Sequence, residues 1–403
     1  MKLLTQIFNK NFDHYGISQK RDFLCVLVVF GLFSSVFAFV STFLNLKIQN
    51  LHVFPDSWMA FVLALPYVGS FFGTLFFPYF SKKFSLKRML LLTFLVLDLG
   101  YLSIFLLLKT SISGFLLFLF GLLHRWVFLI LYVYQGKIFL GAYQARLFSF
   151  AGLLYGVCVA FGSYEISFLS FEKGLWFSIF LIVSCFFISS KLKKDQIKKP
   201  KASLEKSLEQ ELSAQDIIKQ NALFFLIVFV GYVTFYGFST YYPFFGEGLG
   251  LSEAESGSFL AFAQFFGLFL IPVGGYLGDK FGHEKSVFFM ILLILSVLGF
   301  AFLTENISLL SFFFALAEGA MVSFYTMTIA WIAFLYPTSN LVKGIAFLNL
   351  AAQAGSILSP LGMGIMMQLF GNKGFIAWLF IGTSTILGLL VIRMIFHTTS
   401  SKS

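Results

Sequence analysis

The sequence predicts an all-α membrane protein, with twelve transmembrane helices arranged as two pseudo-symmetric six-helix bundles. Composition is the first ground: 59% of the 403 residues are hydrophobic and 11% charged, with a mean hydropathy of +0.89. A soluble chain of this length cannot bury that much apolar surface in its own core. The second ground is that apolar runs of about twenty residues, the length needed to cross a hydrocarbon layer, recur twelve times. The third is the distribution of lysine and arginine, which accumulate on the cytoplasmic side of short loops.

The runs are 23–46, 57–80, 89–108, 114–136, 146–166, 174–190, 221–244, 255–277, 286–303, 308–335, 344–369 and 374–395. Phe23 to Leu46 is too long for a leader and lacks a small-x-small cleavage site, so it is read as the first span. With the N-terminus placed inside, 23 of the 28 Lys and Arg residues fall in inside segments. Four (Lys47, Lys109, Lys173, Lys373) fall outside, and Arg125 lies within a span. Both termini are therefore expected in the cytoplasm, and the protein in the plasma membrane, a bacterial inner membrane. The net charge of +10 is accounted for by topology, with no nucleic-acid partner required.

Three domains are expected: an N-terminal six-helix bundle over 1–190, a cytoplasmic linker over 191–220, and a C-terminal six-helix bundle over 221–403. The Lys-rich start of the linker suits an anionic inner leaflet. Leu204, Leu208 and Leu212, four residues apart, predict a short amphipathic helix at the interface. Ser213-Ala-Gln-Asp216 has the form of a capping box just ahead of span 7. Cys25, Cys158 and Cys185 all sit in apolar runs and read as small core hydrophobes rather than a disulfide or metal set.

An internal repeat links the halves. Sliding the chain by 197 residues brings the turn "YFSKKFSLKRML" onto "YLGDKFGHEKSV". It then pairs Lys83 with Lys280, Arg88 with Lys285, Asp56 with Glu253, Arg146 with Lys343 and Gly174 with Gly371. The matches recur at helix ends, which points to a duplicated six-span unit.

Six plus six spans, a basic central linker and paired polar turns after spans 2 and 8 resemble the major facilitator superfamily of transporters. The turn Gly275-Tyr-Leu-Gly-Asp279-Lys280-Phe-Gly282-His-Glu-Lys285 carries the resemblance. The family signature there is Gly-x-x-x-Asp-(Arg/Lys)-x-Gly-(Arg/Lys)-(Arg/Lys). Gly275, Asp279, Lys280 and Gly282 match it, whereas His283 and Glu284 depart from its basic end. The first-half copy has Pro78, Lys82 and Ser85 in place of the two glycines and the aspartate. The resemblance implies a latch that holds the halves while the cavity faces outward. Physically, Gly282 permits a tight turn, and Asp279 can accept hydrogen bonds from the start of a neighbouring helix and attract a cation. For Lys82 and Lys83 a plain basic anchor is an equal reading.

Charges inside spans are costly and mark function. Asp98 lies in span 3, His124 and Arg125 in span 4, and Glu318 in span 10. Arg125 and Glu318 both fall near mid-membrane, on spans that face the central cavity in the resembled fold. Arg125 offers a forked donor to a carboxylate or phosphate, and a carboxyl such as Glu318 in a low-dielectric site can exchange a proton near neutral pH. The alternative for the two is a static bridge between spans 4 and 10. His124 is either a second proton site or a packed neighbour, and the role of Asp98 stays open.

Spans 1 and 7 line the cavity in the resembled fold and carry Ser34, Ser35, Ser41, Thr42, Asn45, Thr234, Tyr236, Ser239, Thr240 and Tyr241. Their hydroxyls either touch substrate or bond back to their own helices. Trp126, Tyr132, Tyr325 and Trp331 form a possible stacking wall, with Trp126 and Tyr325 favoured. Span 11 holds Gly355, Pro360, Gly362 and Gly364, which suits a bending helix.

The sequence contains no phosphate-binding Gly-rich loop and no metal-spaced His or Cys cluster. An enzyme is not expected, nor are a cofactor or a metal. The expectation is a monomeric secondary transporter that moves a small-molecule substrate across the lipid bilayer by alternating access, through proton-coupled uptake of a polar or anionic metabolite. Proton-driven efflux of amphipathic compounds and a non-transporting sensor are the alternatives.

Overall fold

The computed structural model describes residues 20–50, 56–107, 110, 112–139, 143–165, 169–193, 212–336 and 340–400. These residues are almost wholly helical. In chain order the helices are α1 (Lys20–Asn50), α2 (Asp56–Lys83), α3 (Leu86–Leu107), α4 (Ile112–Ile138), α5 (Gln144–Glu165) and α6 (Phe171–Ser190). They continue with α7a (Ala214–Phe235), α7b (Gly237–Gly248), α8a (Glu253–Gly267), α8b (Leu270–Phe281), α9 (His283–Leu303), α10 (Ile307–Leu335), α11 (Leu341–Phe370) and α12 (Asn372–Ser400). Each of the twelve expected spans has its helix, with the seventh and eighth each broken once. Among the described residues ten helices are long and apolar enough to cross a membrane.

The repeat read in the sequence reappears in the helix boundaries. Asp56 and Glu253 open α2 and α8a, Leu86 and His283 open α3 and α9, Ile138 and Leu335 close α4 and α10, and Gln144 and Leu341 open α5 and α11. Each pair is separated by 197 residues. The predicted amphipathic helix of the linker, at Leu204 and Leu208, lies outside the described residues.

Two compact units are present. One gathers α1 to α4, α5 from Leu154 onward, α6, Leu212 and the segment Tyr336–Ala346. The other gathers Gln144–Leu153 at the start of α5, Ser213–Leu335, and Phe347 onward.

In the first unit α2 packs most closely on α4, and the sequence shows why. A Cβ at Gly69 would lie 1.9 Å from the Phe118 carbonyl oxygen, and one at Gly121 would lie 1.9 Å from that of Pro66. Only glycine lets the two backbones touch at these points. Ser70 Oγ then donates to the Gly121 carbonyl at 3.0 Å, fixing the crossing.

In the second unit α7a begins with the expected capping box. Ser213 Oγ accepts from Asp216 N–H at 3.1 Å, and the Asp216 carboxylate accepts from Ser213 N–H at 3.2 Å. Asn221 (φ −128°, ψ 23°) kinks the helix where the apolar run begins. Ser252 and Glu255 form the same box at α8a.

Each broken span has an identifiable cause and repair. Pro272 has no N–H to give the Leu268 carbonyl, which accepts instead from Ile271 N–H at 3.2 Å. At the α7a/α7b break, Gly237 N–H donates to Ser359 Oγ at 2.7 Å, and Ser359 precedes Pro360, the proline inside α11. A freed backbone group is thereby satisfied within the apolar interior.

Candidate functional site

The first unit holds Arg125, His124, Asp98 and Trp126. Arg125 on α4 is 9% exposed, and its Nε donates to Thr74 Oγ1 on α2 at 3.3 Å. Thr74 in turn donates to the Ser70 carbonyl at 2.9 Å. Trp126 Nε1 donates to the Gly73 carbonyl at 2.8 Å. The glycine-dependent crossing of α2 and α4 therefore sets where both side chains stand. Trp126 also lines an apolar groove of about 620 Å³ with Phe76, Tyr79, Phe80 and Leu122.

His124 points elsewhere. Its Nε2 is hydrogen-bonded to the Tyr101 hydroxyl, and its ring is enclosed by Phe33 and Phe37 at 5.4 Å and Phe120 at 6.2 Å. Asp98 sits half-buried on α3, one turn from the exposed Leu95 and Leu102. Its Oδ1 makes no hydrogen bond among the described residues.

The second unit holds Glu318, Tyr236 and Tyr325. Glu318 on α10 is half-buried beside Gly319, where α10 and α8a come into backbone contact. A Cβ on Gly319 would lie 2.2 Å from the Gly267 carbonyl oxygen, next to the break in α8. Tyr242 is fully buried, its hydroxyl makes no hydrogen bond among the described residues, and it lies within electrostatic reach of Glu318. Tyr325 packs edge-on against Tyr232 at 5.5 Å, and Tyr236 stands exposed at the break in α7.

The four aromatics of the expected wall separate by burial. Tyr132 and Trp331 are each 4% exposed and belong to packed clusters, the former with Phe30 and Phe128, the latter with Phe224. Trp126 and Tyr325 are the two that keep partial exposure. Of the hydroxyls, Ser34 and Thr234 bond back to Phe30 and Val230 of their own helices. Ser41, Thr42, Asn45, Ser239 and Thr240 lie outside the residues whose side chains are described.

The turn after α8b has the geometry its residue types allow. Asp279 Oδ1 accepts from Ala145 N–H at 2.8 Å, and Oδ2 accepts from Arg146 N–H at 3.3 Å. Arg146 Nε stands 3.1 Å from the same oxygen. The carboxylate thus caps the first turn of α5, where unpaired N–H groups and the helix dipole favour an anion. Gly275 is required for the approach, since a Cβ there would lie 2.5 Å from Ser149 Oγ and 2.9 Å from the Ala145 carbonyl oxygen. Gly282 takes φ 90°, ψ 154°, a backbone that side-chain-bearing residues rarely adopt, and joins α8b directly to α9. Lys280 Nζ lies 5.6 Å from the Tyr276 ring centroid, and the Arg146 guanidinium covers the same ring at 4.9 Å.

One pair had only a faint sequence signal. Glu284, which departs from the basic end of the motif, meets Arg393 of α12 at 3.3 Å. The Arg393 guanidinium also covers the Trp331 ring at 4.8 Å. The partner lies 109 residues away in the sequence, which shows only that both are charges at span ends.

The long apolar helices among the described residues, repeating at 197 residues, define a multi-pass membrane protein. The chain belongs to the Major Facilitator Superfamily, whose family model matches residues 23–291 and 224–403. No curated protein matches it. Among solved structures, the human organic anion transporter MFSD10 (TETRAN) is similar with a TM-score of 0.74 at 12% identity, covering 93% of this chain and 99% of that one. A bacterial homologue of the iron transporter ferroportin, in an outward-facing state with soaked iron, gives 0.72 at 15% identity over 94% and 98%. The E. coli fucose:proton symporter FucP gives 0.69 at 14% identity over 92% and 98%. At such identities these structures share the fold with this chain.

Proposed function

We propose that this secondary transporter takes up a small polar or anionic metabolite together with protons, by alternating access across a bacterial inner membrane with both termini inside. One observation carries the reading. Two ionisable side chains, Arg125 and Glu318, occupy the apolar interiors of α4 and α10, each beside a backbone crossing that leaves it little freedom. Arg125 Nε donates to Thr74 Oγ1, and a guanidinium is the side chain best suited to recognise a carboxylate or phosphate. A carboxyl in an apolar setting can accept a proton in one state and release it in the other. Similar structures include carriers of organic anions, of iron and of fucose with protons, so the substrate must be argued from these residues rather than from the fold.

The test uses the purified protein in vesicles, with a substrate class found by thermal-shift screening. Glu318→Gln imitates the protonated carboxyl permanently, so gradient-driven accumulation should be lost while substrate exchange persists. Arg125→Gln should weaken binding itself, most for anions. If the double change to Gln restores accumulation, the pair is scaffold and the proton role is refuted.

The groove at Phe76, Tyr79, Phe80, Leu122 and Trp126 favours a second reading, efflux of amphipathic compounds. On that reading Trp126→Ala would abolish transport and Arg125→Gln would leave it intact.

A further inference from the structure

The 197-residue repeat makes an asymmetry visible. In the second unit, the first turn of α5 is held by the Asp279 carboxylate, which accepts from the N–H of Ala145 and of Arg146 and pairs with the Arg146 guanidinium. The repeat-related place at the start of α11 has Lys343 where α5 has Arg146, but the residue related to Asp279 is Lys82. A lysine supplies three donors and no acceptor, so it cannot cap a helix start or attract a second lysine. Some other acceptor must hold the first turn of α11.

In the first unit the acceptor that holds the Lys343 side chain is main chain. Lys343 Nζ donates to the Leu212 carbonyl at 2.7 Å, and Leu212 N–H donates to Asn340 Oδ1 at 3.1 Å. Both polar groups of one peptide residue are engaged by two side chains three residues apart at the start of α11. The residue they hold immediately precedes Ser213, whose hydroxyl caps α7a.

We infer that Asn340 and Lys343 are positioning residues that fasten the start of α11 to the main chain of Leu212, in place of the carboxylate lost at Lys82. The first-half turn has therefore not simply decayed; its task has moved to Leu212, one residue ahead of the α7a cap. Releasing the start of α11 then requires freeing Leu212. This rests on reading Asp279 as a latch, and the experiment separates the two.

The test needs no substrate. Cys25, Cys158 and Cys185 are replaced, and a reporter is placed at Ala346→Cys, a fully buried position on α11. Its labelling by a membrane-impermeant maleimide is timed on the full-length protein in vesicles. Lys343→Met and Asn340→Ala should each speed labelling by about tenfold, whereas Lys343→Arg and Asn340→Asp, which keep donor and acceptor, should not. Leu212→Pro removes the main-chain N–H that Asn340 accepts, along with the leucine side chain, and fixes φ, so Leu212→Ala, which keeps the N–H, is its control. Leu212→Pro should speed labelling as Asn340→Ala does, and the two together should do no more than either alone. Unchanged labelling in Lys343→Met and Asn340→Ala overturns the inference. So does faster labelling in those variants with none in a folded Leu212→Pro protein. A parallel reporter at Ala151→Cys on α5, read with Asp279→Asn, reports on the second-unit latch by itself. Failure there with success at Ala346→Cys leaves the Leu212 fastening standing.

Discussion

Replacing Asp279 by asparagine keeps the size of the side chain and removes its charge. The carboxylate engages Ala145 N–H, Arg146 N–H and Arg146 Nε, and its side chain is 5% exposed. An amide can still accept from Ala145, but its NH2 then faces two donors. Hydrogen bonds to a charged group contribute about 1.5–3 kcal/mol against about 0.5–1.5 kcal/mol for neutral ones. The ion pair adds less than about 1 kcal/mol, because Arg146 is over a third exposed. Weakening one bond by about 1 kcal/mol and losing another worth about 1.5–3 kcal/mol should cost the capped state about 2.5–4 kcal/mol, a shift of roughly 70- to 900-fold in its equilibrium with a released state. The loss should appear as faster maleimide labelling of Ala151→Cys and slower net transport. The melting temperature should change little, because the perturbation lies at one end of a helix. Labelling and transport within about twofold of the parent, worth only about 0.4 kcal/mol, would refute the latch and leave the turn as an anchor.

Cysteines introduced at Ser203 and Asn372 should label from opposite sides of the membrane; the same side for both would break the twelve-span topology. Arg393→Met strands the Glu284 carboxylate and should lower stability by about 3 kcal/mol in thermal or denaturant unfolding, the low end for a broken buried pair because Glu284 is a quarter exposed. Adding Glu284→Gln should recover most of that loss, and failure to recover it would mean the arginine acts through contacts other than Glu284, such as the Trp331 and Phe224 rings. Gly121→Ala would place a methyl 1.9 Å from the Pro66 carbonyl oxygen and should prevent α2 and α4 from closing. The expected readout is loss of monodisperse protein after detergent extraction, and a normal yield would contradict the crossing.

Span number, order and repeat were legible because membrane helices announce themselves locally, through length of apolar run and placement of lysine. The capping box at Ser213 and the turn at Gly282 were legible for the same reason, each depending on residues within four positions of one another. What the sequence withheld was every long-range partner. Thr74 beside Arg125 is one hydroxyl among many, and α2 as a whole reads as a hydrophobic run. The breaks at Tyr236 and Leu268 were also missed, because hydropathy is blind to backbone geometry, although Pro272 was a usable signal for the second. The burial of Tyr132 and Trp331 depends on how helices rotate, which an aromatic-rich sequence does not disclose.

The bond from Gly237 N–H to Ser359 Oγ has a mechanical meaning. It ties the break in the seventh span to the residue ahead of Pro360 in the eleventh, so the two sites share a single pin. A swing of α7b that leaves the pin in place must carry Ser359 with it, and a swing that does not must first break the bond, at a net cost of about 1 kcal/mol. The two sites then move together until the bond breaks. A spin label or fluorophore near either site would follow both, and Ser359→Ala would let them move independently.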